Sequence, residues 1–387
     1  MSGKAPLPRA IWALGFVSLL MDVSSEMIHG LLPVFLVGML GTSPVLLGLM
    51  EGLAEAIPLF MKAFSGALSD RLGNRKWVTV VGYGMSAATK PLFAIATSTG
   101  FVMGARMLDR IGKGGRGAPR DALIADLVPP ESRAAAYGLR QSLDTVGAVL
   151  GPLLAIALML AWHDDVRAVF TFAVIPAALA VLWLVLGVKE PARSAPQKSK
   201  PKLPLRDLGR GFWWVAAIGA LFAFARFSEA FLVLRAKDRG LAMSLVPLVL
   251  VTMNVVYALT AFPFGKLSEK FSARSLLGVG ALVLAGSHLL LALDAHWAVT
   301  LVGIALWGLQ MGITQGVMSA LVANQVPEYA RGTAFGVFSA VSGVATLLAS
   351  LGAGALWSHQ PTAPFIAGAV AAALTAVVLR ASPPPAG

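Results

Sequence analysis

Six ionisable residues, Arg106, Asp109, Arg110, Lys113, Arg116 and Arg120, fall within an arc of about 120° if their segment is helical and turns 100° per residue. A face of that kind suits anions, because guanidinium forks grip carboxylate or phosphate oxygens two at a time. A second set, Asp22, Glu26 and His29, is spaced i, i+4, i+7 and also shares one helix face. Two carboxylates with an imidazole could carry protons or ligate a divalent first-row ion. A lone helix rarely completes a coordination sphere, and the basic stripe would repel a cation, so proton handling is the stronger reading. Glu51 with Glu55, and Arg140 with Asp144, repeat the i, i+4 spacing.

The elements that must position these residues are apolar. The chain has 387 residues, 57% hydrophobic and 13% charged, with a mean hydropathy of +0.76 and no cysteine. Soluble domains run at roughly half and roughly a quarter for the two fractions. Twelve apolar runs of the roughly 20 residues that a bilayer-spanning helix needs recur along the chain. The expectation is an all-α membrane protein with twelve transmembrane helices. The first run, from about Ala10, is too long for a signal-peptide core and carries Asp22, Glu26 and His29, so it reads as a retained span. The missing cysteines exclude a disulfide framework and thiol-ligated metals.

The net charge of +12 follows alternate connections between the runs. Lys4 and Arg9, then Arg71, Arg75 and Lys76, then Arg133, then 189–210, then Lys266, Lys270 and Arg274, then Arg331 and Arg380 lie on one side. The intervening connections are neutral or acidic, with Asp164 and Asp165 beside Arg167, and Asp294 alone. The positive-inside rule places both termini in the cytoplasm. Lys237, Asp238 and Arg239 are the one weak fit. The basic excess reads as topology and attraction to the lipid bilayer, not as nucleic-acid binding.

The longest connection, 189–210, is rich in Pro, Lys, Ser and Arg and reads as a cytoplasmic linker between a six-helix bundle over 1–188 and another over 211–387. An internal repeat supports this division. Ala122-Leu-Ile-Ala-Asp126-Leu-Val-Pro129, Arg133 and Gly138 match Ala320-Leu-Val-Ala-Asn324-Gln-Val-Pro327, Arg331 and Gly336 at an offset of 198. Gly66-Ala-Leu-Ser-Asp70-Arg71 is echoed by Gly265-Lys-Leu-Ser-Glu269-Lys270 at 199. Two pseudo-symmetric six-helix halves are a known transporter arrangement, in which substrate is held near the midplane and exposed alternately.

Gly66-Ala-Leu-Ser-Asp70-Arg71-Leu-Gly73-Asn-Arg75-Lys76 resembles the signature loop of the major facilitator superfamily, and with the twelve-span pattern the resemblance covers the whole chain. It implies a gating role for Asp70 and Arg71, the aspartate capping a neighbouring helix end and releasing it as the halves rock. Gly147-Ala-Val-Leu-Gly151-Pro152 resembles the Gly-Pro motif of the superfamily's antiporters, which adds Gly151 and Pro152 to the gating set. Its counterpart in the second half, Ala349-Ser350, lacks the motif. Arg106 matches an arginine that the family associates with proton coupling, whereas Asp109, Arg110 and Lys113 depart from its more neutral pattern.

Intramembrane charges are costly and are functional hypotheses by default. Eight cations (Lys62, Lys90, Arg106, Arg110, Lys113, Arg116, Arg120, Arg140) face eight anions (Asp22, Glu26, Glu51, Glu55, Asp109, Asp121, Asp126, Asp144). The repeat provides a control: Ile304, Gly308, Met311 and Thr314 stand where the first half has Arg106, Arg110, Lys113 and Arg116. The fold therefore does not need the charges. They are either a substrate-facing surface or a buried ion-pair network. Ser25-Glu26 resembles Ser228-Glu229 at an offset of 203, which makes Glu229 a third proton-coupling candidate beside Asp22 and Glu26, with a static pair to Arg226 as the alternative. Asn254, Tyr257 and Gln310 are the second half's polar candidates for substrate, each equally able to serve as an interhelical hydrogen bond. His288 reads as a packing histidine.

Gly112-Lys-Gly114-Gly-Arg-Gly117 has dinucleotide-loop spacing but follows no strand, and the P-loop pattern fails at Gly114. These glycines read as close-packing positions. With no nucleotide motif and no nucleophile with its base, the chain reads as a non-enzyme without a cofactor, driven by an ion gradient or by exchange. The expectation is a proton-coupled secondary active transporter of the antiporter-like branch. It would sit as a monomer in a bacterial inner membrane and export a small molecule with an acidic group by alternating access. The alternatives are a drug or lipophilic-cation:proton antiporter, a metal or metal-chelate (siderophore) transporter, an uptake symporter and, last, a non-transporting membrane sensor.

Overall fold

A computed structural model describes residues 7–129, 132–190, 208–327 and 330–381. Every regular element among them is helical: α1 Arg9–His29, α2 Leu32–Val34 continuing as a π-helix Phe35–Met39, α3 Pro44–Leu72, α4 Arg75–Ile95, α5 Thr99–Leu127 and α6 Arg133–Ala161. Then come α7 Val166–Phe172, α8 Val174–Gly187, α9 Arg210–Ala225, α10 Ala230–Asp238, a 3₁₀ turn Met243–Leu245 and α11 Leu248–Leu267. The chain closes with α12 Ala273–Ala292, α13 Trp297–Asn324, α14 Arg331–His359 and α15 Ala363–Ala381. Lys4 and 191–207 of the linker lie outside the described residues.

Ten of these segments are long and apolar enough to cross a membrane, four of them (Arg9–Met39, Val166–Gly187, Arg210–Asp238 and Met243–Leu267) each built from more than one helical element. The helices α4 and α5 have the length, 21 and 29 residues, but fall short on apolarity. Lys90 and the run of charge from Arg106 to Arg120 are the cause. The helix starts recur at the offset of the sequence repeat: Arg75, Thr99 and Arg133 open α4, α5 and α6, and Ala273, Trp297 and Arg331 open α12, α13 and α14.

Helix starts are set by short polar caps. Asn74 accepts from Trp77 N, Ser98 from Phe101 N, Asp165 from Arg167 N and Ala168 N, and Ser272 from Ser275 N. Arginine side chains close several helix ends among the described residues. Arg167 donates to Ala94 O and Ala96 O, both at 2.7 Å, at the end of α4. Arg235, with no exposed surface, donates to Leu291 O at 2.8 Å and Leu293 O at 2.9 Å at the end of α12. It also reaches Asp238 at 2.7 Å and Asp294 at 3.2 Å, and Arg239 pairs with the same two aspartates. Carbonyl oxygens at a helix end are orphan acceptors, so a guanidinium satisfies them and opposes the negative end of the helix dipole. Within the segment 237–239, Asp238 and Arg239 are thus paired locally.

The chain packs into two compact units, 1–32 with 57–196, and 33–56 with 197–387. This division departs from the sequence boundary at 33–56. The cause is close packing on α14 and its neighbours: a Cβ at Gly48 would strike Ser350 O, one at Gly52 would strike Leu347, and one at Gly354 would strike Pro44 O. In the first unit α4 lies along α5 and α1 along α6. In the second, α12 and α11 both pack on α13, and α15 on α12. Phe227, Phe231, His288, Trp307, Trp357 and Phe365 form an aromatic cluster there, with ring centroids 5.2 to 6.2 Å apart. His288 is fully buried in it, a packing residue whose Nε2 donates to Ala225 O at 2.9 Å.

Candidate functional site: the charged face of the first unit

The stripe on α5 is helical throughout, and its members divide by exposure. Arg106, Asp109, Arg110 and Arg116 are 2, 3, 4 and 5% exposed. Lys113 is exposed. The glycines on either side of it explain the difference. A Cβ at Gly112 would strike Gly82 O and Ser86 Oγ on α4, and one at Gly114 would strike Pro58 O and Met61 on α3. With α5 seated against both helices through these two positions, the side chain between them is left outside the packing.

Lys90, Arg116 and Arg120 are committed to protein partners. Lys90 Nζ pairs with Asp109 Oδ1 and donates to Ser25 Oγ, each at 3.0 Å, joining α4, α5 and α1. Arg116 donates to Ser86 Oγ at 2.7 Å and stacks its guanidinium 4.4 Å from the Tyr83 ring centre. Arg120 donates to Ser18 Oγ at 3.0 Å and Tyr83 OH at 3.2 Å and contacts Asp121, which also holds Lys62 at 3.2 Å. On α6, Arg140 pairs with Asp144.

Lys113 has neither a hydrogen bond nor an ion pair among the described residues, yet it stands within electrostatic reach of both Asp22 and Glu26. Asp22 also senses Asp144, Arg116 and Glu26. Glu26 senses Arg110 and His29, whose Nδ1 lies 3.5 Å from Glu26 Oε2. Among the described residues no three His, Asp or Glu side chains are grouped as a metal site requires. The helix α1 comes this close because α6 offers it glycine: a Cβ at Gly147 would meet Leu19 O and Asp22 Cβ, and one at Gly151 would meet Val23 O and Glu26 Cβ, all at 2.7 to 3.0 Å. The Gly147 to Pro152 segment thus seats the backbone turns that carry both carboxylates.

Asp70 lies in the last turn of α3 and its side chain is not among those described; Arg71 beside it is exposed. In the signature loop Arg75 bonds Asp126 and Ala122 O, Lys76 Nζ donates to Val185 O at 2.9 Å, and the carboxylate of Glu190 accepts from Arg75 N at 2.9 Å and Lys76 N at 2.6 Å. Glu190 was not singled out in the sequence, although a carboxylate suits the positive end of α4.

In the second unit Glu229 lies where the span Arg210–Asp238 is interrupted, between α9 and α10. The break is held by His288 on Ala225 O, by Ser350 Oγ accepting from Ser228 N at 3.0 Å, and by Ser228 Oγ accepting from Ala230 N. Arg226 in the break is within electrostatic reach of Glu229, Glu55 and Tyr257. Asn254 and Tyr257 are half-buried on α11. Gln310 is 1% exposed and donates to Thr314 Oγ1 one turn along its own helix, so its amide serves α13 in this structure. The helix break was not legible from composition, since 226–229 lie inside one apolar run.

Comparison with known proteins places this architecture. The sequence model of the Major Facilitator Superfamily matches residues 14–248 and 216–387. An uncharacterized MFS-type transporter of Methanocaldococcus jannaschii is 32% identical over 380 residues, 96% of this chain and 94% of its own length. The multidrug resistance protein MdtH of Yersinia pestis is 26% identical over 328 residues, 83% and 80% of the two chains. Among solved structures, a POT family transporter in complex with 5-aminolevulinic acid superposes with a TM-score of 0.81 at 13% identity, covering 96% of each chain. A bacterial homolog of the human lysosomal transporter Spinster gives 0.72 at 20% identity, covering 97% of this chain and 96% of its own. The chain is a membrane transporter and belongs to the Major Facilitator Superfamily.

Proposed function

We propose that this protein moves a small molecule bearing an acidic group by proton-coupled alternating access, with twelve spans in two halves, as a monomer in a bacterial inner membrane with both termini in the cytoplasm. The observation that carries the reading is Lys113, exposed and unbonded between fixed neighbours, facing Asp22 and Glu26. Arg106, Arg110 and Arg116 supply the positive field around it. Arg116 is held by Ser86 and Tyr83 and positions the site from beneath.

The sharing of Lys113 has a sign. When Asp22 and Glu26 are ionised they compete with an anion for the lysine; when they are protonated, the lysine is released to the anion. Proton and anion are then bound together, and linkage makes each strengthen the other. Run down an inward proton gradient, this arrangement is symport and gives uptake. Export coupled to proton entry requires the opposite sign, a cationic substrate competing with the proton for the same two carboxylates. That second reading is favoured by the Gly147 to Pro152 segment and by the likeness to relatives named multidrug resistance proteins. In both readings Glu229 is a further proton carrier, and Asp70, Arg71, Gly151 and Pro152 serve the gate.

A thermal-shift panel across pH separates the two, because a ligand that binds only the folded protein raises its apparent stability. The probes are benzoate, succinate, inorganic phosphate, tetraphenylphosphonium and zinc. Stabilisation by an anion that grows as pH falls, and disappears in Lys113→Gln, is the expected result. Stabilisation by tetraphenylphosphonium that shrinks as pH falls selects the cation antiporter. A shift by zinc alone overturns both.

A further inference from the structure

A pocket of about 410 Å³ lies in the second unit, far along the chain from the charged face of α5. Its walls are Val34, Val37, Gly38 and Met39 from the π-helical end of the first span, Leu234 of α10, Met243 of the following 3₁₀ turn, and Trp357 of α14, with Lys237 and Asp238 at the rim. The indole of Trp357 is fixed from behind by Phe231 and Phe365, with ring centroids 5.9 and 6.2 Å away. The two thioethers line the cavity with polarizable, adaptable surface that accepts varied apolar shapes. The π-helix is a second pointer, since such segments are energetically inferior to α-helix and are found mostly where they serve function.

The rim charges are unequal. Asp238 is neutralised by Arg235 at 2.7 Å and Arg239 at 2.9 Å, and Asp294 closes the same cluster. Lys237 is exposed, and its side-chain ammonium has no hydrogen bond or ion pair among the described residues. At this end of the span, Arg235 is spent on helix carbonyls and Arg239 on aspartates, so Lys237 is the cation left to meet a ligand. An apolar, sulfur- and indole-lined cavity with one uncommitted ammonium at its mouth matches one chemistry: a straight-chain monocarboxylate whose tail enters the cavity and whose carboxylate sits on the lysine.

We propose that this pocket is a binding site for amphipathic monocarboxylates of medium chain length, held by Lys237 and the Met39, Met243 and Trp357 walls. It is independent of the site on α5 and stands whichever substrate that site takes.

The test uses the full chain in phosphatidylcholine nanodiscs, titrated with decanoate, decanol and decyltrimethylammonium and followed by thermal shift. Decanoate is expected to bind more tightly than the other two. Lys237→Gln should weaken decanoate at least tenfold and leave decanol unchanged. Gly38→Phe should abolish both, because a Cβ at Gly38 meets nothing within 4 Å and the ring can enter the cavity without disturbing the backbone. Lys266→Gln, at an exposed lysine of α11 that lines neither site, serves as the charge-removal control and should leave decanoate binding unchanged. Decanoate affinity equal in the parent, Lys237→Gln and Gly38→Phe proteins overturns the proposal, as does a shift with phosphatidylglycerol in the nanodisc and none with decanoate. Loss of decanoate binding in Lys113→Gln alone would move the ligand to the first unit.

Discussion

Lys90 and Asp109 form an ion pair with Nζ 3.0 Å from Oδ1, their side chains 2 and 5% exposed, and the same ammonium donates to Ser25 on a third helix. Asp109 is also within electrostatic reach of Arg110, Arg106 and Arg116, so it offsets positive charge that α5 concentrates on one face. Breaking a buried pair leaves one uncompensated charge and costs about 3–5 kcal/mol, whereas replacing both members by apolar groups is often neutral. Asp109→Asn alone should lower the melting temperature of the purified protein markedly. Lys90→Met combined with Asp109→Leu should recover most of the loss. Equal melting temperatures for the single variant and the parent would remove this pair from the scaffold.

Gly147 and Gly151 of α6 are expected to be sensitive small positions of the first unit. Each faces a carbonyl of α1 within 2.8 Å of where a Cβ would stand, a distance that real side chains do not tolerate. Gly151→Val should force α1 away, costing about 1–3 kcal/mol as overpacking typically does. Because Glu26 rides on the displaced turn, flux should fall further than stability. A comparison of transport rate with melting temperature in Gly147→Ala, Gly151→Ala and Gly151→Val checks this, and the ordering should follow side-chain size.

Arg235 should act on stability alone. Its guanidinium closes the end of α12, so Arg235→Gln leaves orphan carbonyls while Arg239 still opposes both aspartates, with an expected cost of about 1–3 kcal/mol for each buried carbonyl left unsatisfied. Ligand-induced thermal shifts at the α5 site should keep their size in this variant. Arg167→Gln, which uncaps α4, should behave alike but more mildly, since Arg167 is half-buried where Arg235 is fully buried.

Glu26→Gln is expected to uncouple. With Glu26 unable to release a proton, flux driven by a pH gradient in proteoliposomes should drop at least tenfold, while the thermal shift given by the bound ligand persists. Undiminished gradient-driven flux would take Glu26 out of the coupling role and leave Asp22 and Glu229.

The ionisable residues stand out in the sequence, because membrane burial makes charge expensive and therefore conspicuous. The stripe from Arg106 to Arg120, the carboxylates of α1 and the twofold repeat all followed from residue type and spacing. Spacing could not show which charges were already spoken for. Ser18, Ser25, Tyr83 and Ser86 have no distinctive pattern, and they become partners only when α1, α4 and α5 are packed side by side. The membership of 33–56 in the second unit was equally hidden, since it depends on glycines at 48, 52 and 354 that look like any others in an apolar run.

Sequence alone determined that this chain is a helical membrane protein of the Major Facilitator Superfamily with an unusual concentration of charge in its first half. Hydropathy, charge placement and motif are local properties of the chain, and the bilayer leaves few structures that satisfy them. Tertiary structure decided that Arg116, Arg120 and Lys90 are bonded within the protein, that Gln310 serves its own helix, and that Lys113 and Lys237 are left open. An intramembrane cation is satisfied or available according to what the neighbouring helices bring within about 3 Å of it, and that proximity is fixed by packing, not by the order of residues along the chain.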